Sequence, residues 1–302
     1  MTPYLEKRRE ELRKVYRDGL LQDVIPFWLK HGLDRKHGGI FTALGRHGEL
    51  LDSDKSVWFQ GRAAWTFAHL YNTVEPKSEW LEAALSCGNF LHERCADLTG
   101  KLHFTVTQEG DPLRMRRYVF SECFAAIAYA ALHHATGQQV WRERALAAFE
   151  TFIKFNRTPG LIAPKVNPET RPMKGLSPLM MTIVTAQDLR HDLGDVVVAG
   201  QTLSQWARSA IDEICQDFMK PDLQAVMEVV GPQGQVYDHF DGRLLNPGHV
   251  MEAAWFILRE ARYTSDLKLQ AKGLQMIDWM WARGWDAECG GILYFVDVHR
   301  KP

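Results

Sequence analysis

The sequence lacks most features that assign a chain to a specialised class. Its five cysteines (Cys87, Cys95, Cys123, Cys215 and Cys289) are odd in number, and none forms a C-x-x-C pair. That excludes a disulfide framework and a zinc ribbon and leaves reduced thiols as the expectation. No apolar run reaches the roughly 18 residues that a membrane span needs. The opening stretch, MTPYLEKRREELRK, is charged and helix-forming and has no apolar core of a signal peptide. Net charge is −1, from 36 Lys+Arg against 37 Asp+Glu, so neither nucleic acid nor an anionic membrane is an expected partner. These absences together predict a cytoplasmic globular protein.

Motifs of the common cofactor enzymes are missing as well. There is no G-x-G-x-x-G after a strand, no G-x-x-x-x-G-K-[ST] loop and no G-x-S-x-G elbow. H-E-x-x-H and paired Cys/His spacings are also lacking, so no metal site is expected. What remains is chemistry by His, Glu and Arg, or paired carboxylates acting on a glycosidic bond.

The chain is rich in material for a core. Of 302 residues, 46% are hydrophobic, with 10 Trp, 15 Phe and 8 Tyr, too much apolar surface for disorder. The phrase Asp34-Arg-Lys-His-Gly38-Gly39-Ile40-Phe41 returns as Asp286-Ala-Glu-Cys-Gly290-Gly291-Ile292-Leu293, and a paired glycine suits a tight turn. Apolar residues at i, i+3, i+4 and i+7 begin helices near Lys55, Tyr118, Ser177 and Asn246, a recurrence of about 60 residues. Each is apolar on most sides and is followed by an amphipathic helix: Lys77–Cys95, Val140–Phe155, Leu203–Met219 and Leu267–Met280. A further helix, Leu5–Lys30, precedes them. Short hairpins are predicted at Gly39–Leu51, Lys101–Leu113, Ala225–Val236 and Ile292–Val298. No linker divides the chain, so the expectation is one all-α domain, 1–302, of paired inner and outer helices with hairpins at one rim.

Inner helices of this kind should not need charge, yet they carry it. Arg62 lies in Trp58-Phe-Gln60-Gly-Arg62, Glu122 in Phe120-Ser-Glu122, and His249 and Glu252 in Asn246-Pro-Gly-His249-Val-Met-Glu252. Buried charge costs several kcal/mol unless it is paired or lines a wet cavity, so these residues are candidates for a pocket. Asn246-Pro247 reads as a helix cap followed by a first-turn proline. That sets His249 and Glu252 one turn apart, where a carboxylate raises an imidazole pKa and orients it for proton transfer. Trp58 beside Arg62 is either core or a substrate platform. The run Arg114–Arg117 is a solvated loop or an anion contact. Glu122 and Glu228 would be the carboxylates of a toroidal glycoside hydrolase.

At these residues the sequence resembles the N-acylglucosamine 2-epimerase family. The matching phrases are HGGIFTALGRHGEL, VWFQGRAAW, RRYVFSECF, PLMM, NPGHVMEAAWFILR and GWDAECGGILYF, in order along almost the whole chain. The resemblance implies an (α/α)6 barrel and interconversion of N-acetylglucosamine with N-acetylmannosamine, or the aldose–ketose chemistry of related mannose and glucose enzymes. It implies Arg62, His249 and Glu252 as catalytic residues, with Trp58, Gln60, Glu122, Glu228 and Asn246 around the amino sugar. No cofactor is required on this reading, and ATP is an effector that is not consumed. A homodimer is the family expectation, and a renin-binding relative points to the alternative of a non-catalytic binding protein. The third inner helix, Ser177-Pro-Leu-Met-Met181-Thr182, lacks the histidine of the cellobiose and mannose enzymes. About nine of the barrel's twelve helices are counted, so a C-terminally shortened barrel is expected, and the second proton-transfer group is left unassigned.

Overall fold

The periodic segments fold as helices in the computed structural model, which describes residues 3–116 and 118–299. In chain order the helices are α1 Pro3–Gly19, the single turn α2 Ile25–Phe27, α3 Val57–Thr73, α4 Ser78–Arg94, α5 Phe120–Thr136 and α6 Gln139–Arg157. They continue as α7 Ser177–Leu193, α8 Leu203–Glu213, the short α9 Phe240–Arg243, α10 Pro247–Thr264 and α11 Leu267–Gly284. Two compact units are defined by their internal packing: Met1–Arg116 with Ala131–Trp141, and Arg117–Ala130 with Arg142–Pro302.

In the first unit α3 packs along α4. It buries Val57, Gln60, Gly61, Ala64, Phe67 and Ala68, the one-sided stripe that a helical period produces. Trp80, Ala83, Ala84, Cys87 and Leu91 of α4 are buried in turn. In the second unit α7 pairs with α8 and α10 with α11, around a core that includes Ile183, Phe218, Val250, Ile257 and Met276. Caps set these helix starts. Thr202 and Gln205 form a reciprocal capping box on α8, Asn246 caps α10 with Pro247 at its first turn, and Asp266 caps α11.

The strands are short. β1 Ala43–Leu44 pairs with β2 Leu50–Asp52, and β3 Lys55–Ser56, β4 Thr105–Val106 and β5 Pro112–Arg114 form a three-stranded ribbon. β6 Lys174–Gly175 pairs with β11 Val229–Val230, β7 Val197–Val198 with β8 Gln201–Thr202, β9 Met219–Lys220 with β10 Ala225–Val226, and β12 Leu244–Leu245 with β13 Val296–Asp297. The hairpins expected over Gly39–Leu51 and Lys101–Leu113 are therefore present. Those expected over Ala225–Val236 and Ile292–Val298 are not single hairpins, because Val229–Val230 and Val296–Asp297 pair with the strands that lead into α7 and α10. Backbone bonding across the helix entrances outweighs the local turn there.

The first unit contains a fully buried lysine. Lys55 Nζ donates to Asp34 Oδ2, to the Gly38 carbonyl and to the Gln108 carbonyl, each at 2.8 Å. It also lies 4.2 Å from the Phe90 ring centroid. Burial pushes the Asp34 carboxyl up, but the Lys55 ammonium, the His37 and Lys36 amides and Gln108 hold it down at about 2.

Candidate active site

In the second unit the site is built at the start of α10. Asn246 Oδ1 accepts the His249 backbone N–H at 3.1 Å, which fixes His249 in the first turn. The His249 ring is half-buried, and its Nδ1 lies 3.1 and 3.2 Å from the two Glu228 carboxylate oxygens. Glu228 is held by its backbone: its carbonyl accepts Leu176 N–H at 3.0 Å and its N–H donates to the Leu244 carbonyl at 3.4 Å. Its position thus depends on the strands entering both α7 and α10.

The electrostatics follow from that contact. The hydrogen bond that His249 makes to the Glu228 carboxylate raises the imidazole pKa above its ordinary 6.5; burial opposes this, and the charges of Glu228 and Glu252 add to it. An imidazole whose Nδ1–H faces a carboxylate leaves Nε2 as the basic atom, which suits it to take a proton from carbon. Glu252, one turn further along α10, is exposed and acts on His249 through charge. The acid in contact with the ring is Glu228, 21 residues earlier in the chain. Asn246 is almost fully buried, and its Nδ2 has no hydrogen-bond partner among the described residues. Glu122, in the first turn of α5, is also buried, at a helix end that favours negative charge.

The first unit holds the other candidates. Arg62 is exposed on α3, with its guanidinium carbon 5.6 Å from the Trp58 ring centroid. Trp58 meets Phe104 edge-on at 5.2 Å, and Arg116 lies 4.3 Å over the other ring system, that of Phe104. Part of the Arg114–Arg117 run therefore joins an arginine–aromatic cluster with Arg62 and Trp58; Arg117 lies outside the described residues. Gln60 is directed away from such a cluster. Its Oε1 accepts Ile40 N–H at 2.8 Å and its Nε2 donates to the Ile40 carbonyl at 2.7 Å, so its amide fastens the Gly38-Gly39 turn to α3.

Two charged groups escaped the sequence reading. One is the Lys55–Asp34 pair. The other is Arg190, whose two guanidinium nitrogens reach the two Glu260 oxygens at 2.9 and 2.8 Å, while Gln187 Nε2 donates to Glu260 at 2.9 Å. Both tie distant segments together.

Solved structures with the same fold are sugar enzymes. A cellobiose 2-epimerase from Bacillus thermoamylovorans superposes with a TM-score of 0.78 at 18% identity, over 95% of this chain and 76% of that one. A D-mannose isomerase gives 0.76 at 16% identity, over 95% and 75%. The fold class is thus the (α/α)6 barrel with short strands. The N-acylglucosamine 2-epimerase (GlcNAc 2-epimerase) signature matches residues 39–302, and the chain belongs to that family. The N-acylglucosamine 2-epimerases of Rattus norvegicus and Homo sapiens are each 34% identical to it, over 97% of this chain and 71% and 70% of theirs. No helix among the described residues is long and apolar enough to cross a membrane.

Proposed function

We propose that this chain is a sugar 2-epimerase that interconverts N-acetylglucosamine and N-acetylmannosamine. The observation that carries the reading is the His249–Glu228 pair at the cap of α10, in a chain that shares a third of its residues with N-acylglucosamine 2-epimerases along almost its whole length. In the open-chain sugar the C2 proton is acidified by the C1 aldehyde. His249 Nε2 removes it, and Glu228 holds the imidazolium that results. Charge then moves to oxygen as an enediolate, which a guanidinium stabilises, and Arg62 is the arginine to which the family resemblance gives that role. Return of a proton to the opposite face of C2 inverts the centre.

On this reading Glu252 sustains the charge on His249, and Asn246, with its unpartnered amide, and Glu122 meet substrate polar groups. Gln60 serves the site by holding the turn beside α3. No cofactor is consumed, ATP is an effector, and the working form is a cytoplasmic homodimer.

The test is deuterium entry at C2 of N-acetylmannosamine in D2O, followed by NMR. The chain should catalyse exchange, and His249→Ala, with circular dichroism unchanged, should lose at least about 100-fold. A folded wild-type chain that exchanges no deuterium and binds no amino sugar would instead support a non-catalytic binding protein.

A further inference from the structure

Glu228 stands in a closed circuit of contacts within the second unit. On one side Met227 N–H donates to the Phe218 carbonyl at 3.0 Å, so the residue before Glu228 hangs on the wide turn Ile214–Phe218 that ends α8. On the other side Val229 and Val230 pair with Gly175 and Lys174, and the Glu228 carbonyl itself accepts Leu176 N–H. One ion pair joins these two supports. Lys174 Nζ donates to Asp217 Oδ2 at 2.5 Å and to Glu213 Oε1 at 2.9 Å, and Asp217 is the residue before Phe218.

A second strap reinforces the circuit. Beyond Val230 the chain turns over Gly231–Gln235, and Lys220 Nζ donates to the Gly234 carbonyl at 2.5 Å. Gly234 has a φ of +78°, and a Cβ there would stand 3.0 Å from Asp217 Cα and Oδ1, so this turn lies directly on Asp217. Asp217 is 7% exposed, and a carboxylate so buried needs its cation. Strands of two residues, such as β6 and β11, have few ladder bonds of their own and are marginal without further support. The ion pair supplies that support on both sides of Glu228.

We propose that the Lys174–Asp217 ion pair is the positioning device that holds the Glu228 carboxylate against His249. With the circuit closed, both Glu228 oxygens stay within reach of Nδ1 and Nε2 remains the basic atom. With it open, β6 and β11 part, Glu228 leaves the imidazole, and His249 loses the partner that fixes its tautomer. Lys174 and Asp217 are positioning residues, and their part in C2 proton transfer rests on the epimerase reading of His249. Their opposite charges separate position from direct field. Loss of a nearby cation raises an imidazole pKa through the field alone, and loss of an anion lowers it. Loss of position lowers it in both cases, because contact with Glu228 is what raises it.

The test is NMR titration of the His249 imidazole in the intact protein, for wild type, Lys174→Met, Asp217→Asn and Lys174→Arg, with circular dichroism to check the fold. Lys174→Met and Asp217→Asn should both move the midpoint down toward the ordinary 6.5. Both should slow C2 deuterium exchange of N-acetylmannosamine at least about tenfold. Lys174→Arg, whose guanidinium can still bridge the two carboxylates, should keep the wild-type midpoint. In Glu228→Gln protein Lys174→Met should bring no further fall, as members of one chain of contacts require. Lys174→Gln, a milder loss of the same charge, takes the place of Lys174→Met should that variant fail to fold. A midpoint that rises on loss of Lys174 and falls on loss of the Asp217 charge overturns the inference, because it reports the direct field alone. An unmoved midpoint in both variants overturns it as well. The titration needs no substrate: a wild type that exchanges no deuterium would overturn the epimerase reading, and the midpoints would still decide the positioning.

Discussion

Replacing Lys55 by Met keeps most of the side-chain volume and removes only the ammonium. The group is fully buried and makes three hydrogen bonds, one of them to a carboxylate that is itself buried. Removing one member of such a pair strands the other charge, at a cost of about 3–5 kcal/mol. The Asp34 carboxyl gives a second measure. A move from 3.8 to about 2 is worth roughly 2.5 kcal/mol of linked stability. Because the folded value is the lower one, that stabilisation is complete above about pH 4 and is lost as pH falls through about 2. The assay is urea unfolding, followed by circular dichroism, of wild type, Lys55→Met, Asp34→Asn and the double variant at pH 7, with wild type and Lys55→Met repeated down to pH 2. Asn can still accept the amides of the turn, so the double variant should recover at least about 2 kcal/mol relative to the sum of the singles. Wild type should also lose more stability than Lys55→Met between pH 4 and 2. A Lys55→Met cost below about 1 kcal/mol, or additive single effects, would refute the account of this pair.

Two further outcomes follow from the geometry. Glu228→Gln removes the charge facing His249, so the imidazole titration read by NMR should move down toward its ordinary 6.5, with slower C2 exchange; an unmoved midpoint would refute the pairing. In wild type the raised His249 value means that the stabilising contact is complete below the ordinary imidazole range and fades as pH rises through the folded value. Gly39→Ala should lower stability by at least about 1 kcal/mol more than Gly291→Ala. Both carry positive φ (+74° and +97°), but only at Gly39 would the methyl strike Gln60 and Phe90; thermal melts compare them directly.

The helices were legible because their apolar residues keep the 3.6 period, and the start of α10 because Asn246-Pro247 is a local signal. The repeated turn was legible for the same reason: its aspartate and glycines bond to their own near neighbours. What the sequence concealed lies between residues far apart in the chain. Glu252 looked like the acid next to His249, being one turn away, but side chains one turn apart share a face without having to touch. Glu228 reaches the ring because β11 pairs with β6 and brings its carboxylate under the cap of α10. Gln60, within a family phrase beside Arg62, read as a substrate contact, and its partner is the Ile40 backbone. Lys55 and Arg190 look like ordinary surface charges until their partners, 21 and 70 residues away, are known.

The pairing of α3 with α4, α7 with α8 and α10 with α11 also sets how the molecule can assemble. α3 is joined to α4 by residues 74–77, and α10 to α11 by residues 265–266, so the largest apolar interfaces close over very short loops. Such closures cost little chain entropy and form in microseconds to milliseconds. The long-range tie of Arg190 on α7 to Glu260 on α10 can form only once both of their helical hairpins exist. Nascent chain would therefore gain helical hairpins as it is synthesised, and the Arg190–Glu260 pair would be a late latch between two of them within the second unit.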